Sequence, residues 1–524
     1  MKAKKNWFLL LVLSLVLALA ACSGDSDETS SNKDDSKKET ETTKGETLVF
    51  ANGSDAPTLD PHGQNDSASN NATSQIFDRL VDYAEDGSVI PMLAESFEAK
   101  EDTLWEFKLK QGVKFHDGTD FNAEAVKANI ERILSEELAS PKAFILDMIE
   151  EVIIVDDYTV QLKTSYPFGA LPSHLAHNAG SIIAPSAIEE EKSGGKKVDE
   201  NPIGTGPFKF KSWERGTQID LVKNEDYWGE ATELEGLRFL VVPEQATRNA
   251  MIETGDAHVI QVGASDVEYV EGLDNVDLIK VNGTRMDYVG FNMQSEPFNI
   301  KEVRQAISMA INKQDIVDNV LMGQGVPAVG PLAPTVVGNS QELQPLGYDV
   351  EKAKALLTEA GFADGFTTTL WVNDSNKERA DIAEYIQANL AEIGITVNIE
   401  IVEWGAFLEK TAAGEHEMFL LGWTTVTADA DYGLYALFHS SQFGDPGNRS
   451  FYANPTVDEL LDKGRQSTDQ EERNAAYKQV SEILVDEVPM VYLQHPDFVF
   501  GQNGVEGLFV NFSGTPFFKG VTFK

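Results

Sequence analysis

The sequence predicts an α/β protein with mixed sheets, divided between two or three lobes. Three observations predict it. Residues 366–404 read as strand, helix and strand. Residues 104–134 read as an alternating strand, a turn and a helix. The chain has 524 residues, and the ~480 beyond its polar leader are too many for a single core.

Taken in order, "ETLVFANGSDAPTLDP" opens as a short apolar strand and breaks at Pro57 and Pro61. In "DTLWEFKLKQGVKFHDGTDF", Leu104, Glu106 and Lys108 alternate with Trp105, Phe107 and Leu109. That period of two is a half-buried strand, ended by a turn at Asp117-Gly118. "NAEAVKANIERIL" then reads as a helix. Ala125, Val126, Ile130, Ile133 and Leu134 share one face, and Asn122 is its N-cap. "FTTTLWV" is a strand. "ERADIAEYIQANLAEIG" is a helix with Ile382, Ile386, Leu390 and Ile393 inward and Gly394 as its stop. "ITVNIEIVEW" (395–404) is the next strand, and a crossover of this length favours a parallel pair. "EMFLLGW" (417–423) is a buried strand. "NPTVDELLDKGR" is a helix capped by Asn454, with Pro455 at its first position and a Glu459–Lys463 pair one turn apart.

The N-terminus carries an export signal. Lys2, Lys4 and Lys5 precede the apolar run "WFLLLVLSLVLALAA" (7–21), which is short for a membrane span. Leu19-Ala20-Ala21-Cys22 resembles a lipobox, in which Cys22 takes a diacylglycerol. Acyl chains hold such a protein to a membrane at ~0.8 kcal/mol per buried methylene. Residues 22–46 form a polar tether that buries too little to offset its ordering entropy. With one cysteine in the chain no internal disulfide is possible.

The formal net charge of −43 argues against nucleic-acid binding, which needs basic patches. "GTGPF" (204–208) lacks the third glycine of a nucleotide loop, and a proline follows its second. "HEMFL" has no second histidine four residues on, so it is no zinc-protease motif. No Gly-x-Ser-x-Gly elbow appears. The chain is read as a non-enzyme with no cofactor and no metal site.

Several segments, in order, resemble one family. They include "PMLAESFEAKEDTLWEFKLKQGVKFHDGTDFNAEAVKANIERI", "NPIGTGPFKF", "ATRNAMIETGDAHV", "FNMQSEPFNIKEVRQAISMAINKQDIV" and "YDVEKAKALLTEAGF". The chain is similar to solute-binding family 5, the peptide- and nickel-type binding proteins of ABC importers. The resemblance implies a two-lobed type II binding-protein fold of the large cluster C form, with a hinge. A large lobe of 47–285 and 491–524 and a second lobe of 286–490 are expected, with crossings near 281–292 and 488–496. It also implies a monomer anchored outside a bacterial cell, delivering its ligand to a permease and ATPase.

Family members bind dipeptides, longer peptides, glutathione, nickel chelates or haem. In the dipeptide binders an Asp after the Gly-Trp takes the peptide ammonium; Val426 stands there in this chain. An Arg after the strand matching "LWVNDSN" takes the carboxylate; that turn holds none, and Arg379 lies farther on. "GWTTVTADADYGLYALF" looks more like the glutathione-binding subgroup. The resemblance makes Asn65, Asp66, Ser67, Arg285, Asn373, Trp404, Trp423, Thr424, Thr425, Asp429 and Asp431 candidate ligand contacts. Each has a structural alternative. Asp429 and Asp431 could cap the helix that begins "YGLYALF", Arg285 could close the lobes, and 64–71 could be a solvated loop. Other cargo on the same scaffold, or a sensor or adhesin role, stays open.

Overall fold

Strand Thr47–Asn52 lies parallel to both Gly236–Val241 and Val259–Gln261. Val259–Gln261 runs antiparallel to the end of Met490–Asn503, a strand of 14 residues. The computed structural model describes residues 47–63, 66–84, 87–373, 377–444 and 447–524. All of them belong to one compact unit, Thr43–Lys524.

The long strand Met490–Asn503 joins two sets of partners. Its first residues pair with Arg285–Phe291, and residues 497–503 pair with Val276–Asn282. Beyond Arg285–Phe291 the sheet continues through Met418–Thr424, Phe366–Asn373 and Ile395–Val402. The result is one mixed sheet with helices packed on it. A separate antiparallel sheet is built from Ala94–Glu101, Leu104–Leu109, Thr159–Thr164 and Ile149–Asp156. The α/β class with mixed sheets holds.

The local chemistry explains these elements. In Leu104–Leu109 the apolar set Trp105, Phe107 and Leu109 is buried, as the alternation requires. Helix Ala123–Ile133 follows, with Asn122 Oδ1 accepting from the Ala125 amide at 3.2 Å. Such a cap stabilises by about 1 kcal/mol. Phe366–Asn373 and Ile395–Val402 pair in parallel around helix Lys377–Ala391, whose Ile382, Ile386 and Leu390 are buried. Gly394 ends that crossover at φ 87°, a conformation that favours glycine. Asn454 caps Pro455–Gln466, accepting from Thr456 N at 2.9 Å.

Three expectations are corrected. Residues 64–71 are not all loop: helix Ser67–Ile76 starts there, capped by Asp66, which accepts from Ser69 N at 2.9 Å. Its buried face is largely Ser, Asn, Thr and Gln, so no apolar periodicity announces it. Strand Ile395–Val402 ends before Trp404, which opens helix Trp404–Ala412 because Glu403 caps the amides of Gly405 and Ala406. Lys463 pairs with Glu472 at 3.1 Å instead of with Glu459, because helix Gln470–Glu487 packs alongside.

Candidate functional site

Two strand ends and one charged strand meet at the centre of the sheet. Arg285–Phe291 pairs with Met418–Thr424, setting Arg285 opposite Thr424, Met286 opposite Trp423 and Asp287 opposite Gly422. Arg285 and Asp287 are two residues apart on one strand, so their side chains share a face. Arg285 Nη2 donates to Asp287 Oδ1 at 2.7 Å and to Oδ2 at 2.9 Å, and Nε donates to Oδ1 at 3.1 Å. Arg379 Nη2 reaches the same carboxylate at 3.4 Å, and Gln494 Nε2 donates to it at 3.3 Å. Arg379 Nη1 also donates to Asn373 Oδ1 at 3.2 Å. Asp287 has no exposed surface. A buried carboxylate needs such partners, because desolvation alone would neutralise it.

Gly422 makes this cluster possible. A Cβ there would stand 2.6 Å from Arg379 Nη2 and 2.9 Å from Arg285 Nε, and closer still to Asp287 Oδ1. Here the glycine of the Gly-Trp pair makes room for two guanidiniums and a carboxylate.

A cavity of about 120 Å³ opens beside Arg285. Gln261, at the end of strand Val259–Gln261, and Gly263 wall it on one side, and Gln324 and Glu378, the latter on helix Lys377–Ala391, wall it on the other. Glu378 is half-buried, and burial pushes its carboxyl up, against the pull of Arg285. A second cavity, of about 40 Å³, holds Val426, Arg79, Asp82 and Asn178. Arg79 pairs with Asp82 at 2.7 Å, and its buried Nε has no hydrogen-bond partner.

Trp423 stacks on Tyr432 with centroids 5.4 Å apart, and Tyr432 stacks in turn on Phe144 at 6.2 Å. The three rings carry the strand end against the core built from residues 80–184. Trp423 Nε1 is buried without a hydrogen-bond partner. Thr424 is half-buried, and the amide of buried Thr425 donates to Thr284 O at 3.2 Å. Asp429 is the N-cap of helix Ala430–Phe438, accepting from Asp431 N at 2.9 Å. It also accepts from Arg473, at 2.6 and 3.0 Å. Asp431 accepts from Arg465 Nε and Nη2, both at 2.9 Å, and lies 3.7 Å from His174 Nε2. Burial pushes the Asp431 carboxyl up, but Arg465 outweighs it and holds the group below the usual range.

The expected site residues therefore separate into groups. Arg285 and Asn373 are joined through Arg379 and Asp287, beside Trp423 and Thr424. Asp429 and Asp431 are engaged by internal arginines. Trp404 is 40% exposed and stacks on Phe407. Asp66 caps its helix and Ser67 is exposed. Lys142, buried nearby, is pulled down to about 8 by desolvation and donates to Asn70 Oδ1 at 3.1 Å. Asn65, Cys22, the 1–21 signal and the 22–46 tether lie outside the described residues. Sequence reasoning missed Asp287, Glu378 and the role of Arg379. The signal for the first was the Arg285-x-Asp287 spacing; for the others it was the charged Glu378-Arg379 pair just beyond a strand.

Among the described residues, no helix is long and apolar enough to cross a membrane, and no group of His, Cys, Asp or Glu could hold a metal ion. The family model of bacterial extracellular solute-binding proteins, family 5 (middle), matches residues 88–445. The glutathione-binding protein GsiB of Pectobacterium atrosepticum is 32% identical, over 85% of this chain and 88% of the relative. The periplasmic binding protein DppA of Helicobacter pylori, solved with the peptide STSA, superposes with a TM-score of 0.81 at 32% identity. The match covers 91% of this chain and 98% of that one. HbpA2 of Haemophilus parasuis gives 0.80 at 31% identity, covering 91% and 100%. The chain belongs to family 5 of the bacterial extracellular solute-binding proteins, and is an ABC-importer binding protein with the two-lobed fold, not an enzyme.

Proposed function

We propose that the protein captures glutathione or short peptides outside the cell and hands them to an ABC permease with its ATPase. The reading rests above all on the cavity beside Arg285, which is walled by residues of both expected lobes. A ligand held there touches both and favours the closed form, which is the condition for ligand-driven closure. The lobes follow the expected division of 47–285 with 491–524 against 286–490 to within a few residues. Their hinge lies where Met490–Asn503 changes partners, near residues 495–497, and at residues 283–284 between two strands. The relatives named for glutathione binding direct the choice of ligand, and the neighbour solved with a four-residue peptide supports the short-peptide reading.

The absence of an acid at Val426 and of an arginine in residues 373–378 sets the chain apart from the dipeptide pattern. Cys22 carries the lipid that holds the monomer at the outer face of the membrane. Native mass spectrometry of the full-length protein, incubated with glutathione and with short peptides, tests the ligand. One bound glutathione per chain supports the reading; a chain that takes up neither overturns it. Labelling with a radioactive fatty acid, lost in Cys22→Ser, tests the anchor.

A further inference from the structure

Two opposite charges face the cavity beside Arg285 without meeting. Asp287 engages Arg285 through Nε and Nη2 only, which leaves the Nη1 edge without a protein partner among the described residues. Glu378, in the same cavity wall, has no hydrogen bond or ion pair among the described residues. The two groups nevertheless feel each other, since Arg285 pulls the Glu378 carboxyl down against the effect of burial. Asp497, the other acid at this cavity, accepts from Asn282 Nδ2 at 2.8 Å. A half-buried carboxylate and a half-buried guanidinium edge that line one small cavity without a mutual contact leave both charges open to a ligand.

We infer that this cavity is a subsite for an α-amino-acid head group, with Glu378 taking the ammonium and Arg285 Nη1 the carboxylate. A single carbon bearing both charges satisfies both walls at once. Ordinary α-linked peptides lack that group, because their free ammonium and free carboxylate stand at opposite ends of the chain. A γ-glutamyl peptide has it, since its glutamate is linked through the side chain. The inference rests on the proposed glutathione reading and goes further. It names the end of the ligand that is recognised, and it supplies an anchor where the dipeptide pattern of acid and arginine is missing. Gln324 and Gln261 line the same space and can receive the remaining polar atoms.

Calorimetric titration of the full-length protein in detergent tests it with three probes. These are reduced glutathione, its α-linked isomer Glu-Cys-Gly, and free L-glutamine, each against wild type and Glu378→Gln. The subsite predicts glutathione bound at least roughly tenfold more tightly than the α-isomer. It also predicts a loss of roughly tenfold to a hundredfold for glutathione in Glu378→Gln, the range of one charge-assisted hydrogen bond. Glu378→Asp, which keeps the charge, recovers part of that loss, and an unchanged melting curve shows that the variant fold is intact. Binding of free glutamine as tight as glutathione assigns the head group to a free amino acid and leaves the subsite standing. Equal affinity for both isomers, with no effect of Glu378→Gln, overturns the subsite and leaves the glutathione reading intact. No binding of glutathione overturns both.

Discussion

Arg473 donates to both carboxylate oxygens of Asp429, at 2.6 and 3.0 Å, and the two side chains are almost wholly buried. The pair fixes the start of helix Ala430–Phe438, because Asp429 is also its N-cap. Asp431, two residues farther in, makes the matching pair with Arg465. Removing one partner of a buried pair leaves the other charge uncompensated, at a cost of about 3–5 kcal/mol. Arg473→Met is expected to lower the stability of the fold by about that much, read from denaturant unfolding. A variant as stable as wild type would mean that the pair contributes nothing net.

Gly422→Ala probes the central cluster. The added methyl would press on Asp287, Arg285 and Arg379 together, and none of them can move without breaking a buried ion pair. Overpacking of this kind costs about 1–3 kcal/mol. Ligand affinity is expected to fall with stability, because Arg285 lines the cavity. An alanine variant with wild-type affinity and melting temperature would remove Gly422 from the account.

Much of the fold was legible. The period of Leu104–Leu109, the caps Asn122 and Asn454, and the parallel crossover through Lys377–Ala391 follow from local pattern, and local pattern decides them. The site was legible only in part. Arg285 and Gly422 stand 137 residues apart in the sequence, by subtraction of their positions, and only the strand register brings them together. Arg473 lies 44 residues from Asp429, so no spacing rule links them. Trp404 was expected at a strand end, but Glu403 supplies a helix cap just before it. Helix Ser67–Ile76 hid because its buried face is polar.

Trp423→Ala is expected to weaken ligand binding by more than tenfold. Trp423 precedes Thr424, the strand residue that pairs with Arg285, and stacks on Tyr432, so the substitution also costs stacking of about 0.5–1.5 kcal/mol. The sheet beneath stays buried by other residues, so unfolding remains cooperative. Fluorescence-monitored titration and a melting curve separate the two effects. An unchanged dissociation constant would remove Trp423 from the ligand site.

His62, His116, His416 and His495 are each pushed down to about 4, with burial as the largest cause. The unfolded chain binds these protons near 6.5 and the folded chain does not, so stability rises with pH between about 4 and 6.5. It is fully present above that window and is lost as pH falls through it. Asp431, held below the usual carboxylate range, adds its own loss at still lower pH. Carboxyls pushed up by burial, such as Asp78 and Glu378, act in the opposite sense, so a variant isolates the histidine share. In His62→Gln the slope of unfolding free energy against pH in this window is expected to fall by up to ~1.4 kcal/mol per pH unit. A slope equal to that of wild type would place the His62 proton uptake elsewhere.

On the proposed function, the missing acid at Val426 and the missing arginine in residues 373–378 mark a change of ligand. Titration calorimetry of the full-length protein, freed of bound ligand by partial unfolding and refolding, tests it most directly. The panel is reduced glutathione, oxidised glutathione, Ala-Ala and a mixture of tri- to pentapeptides. Micromolar or tighter binding of glutathione and no heat from Ala-Ala are expected. Silence toward both forms of glutathione, with binding of Ala-Ala or the longer peptides, would contradict it and return the protein to general peptide capture.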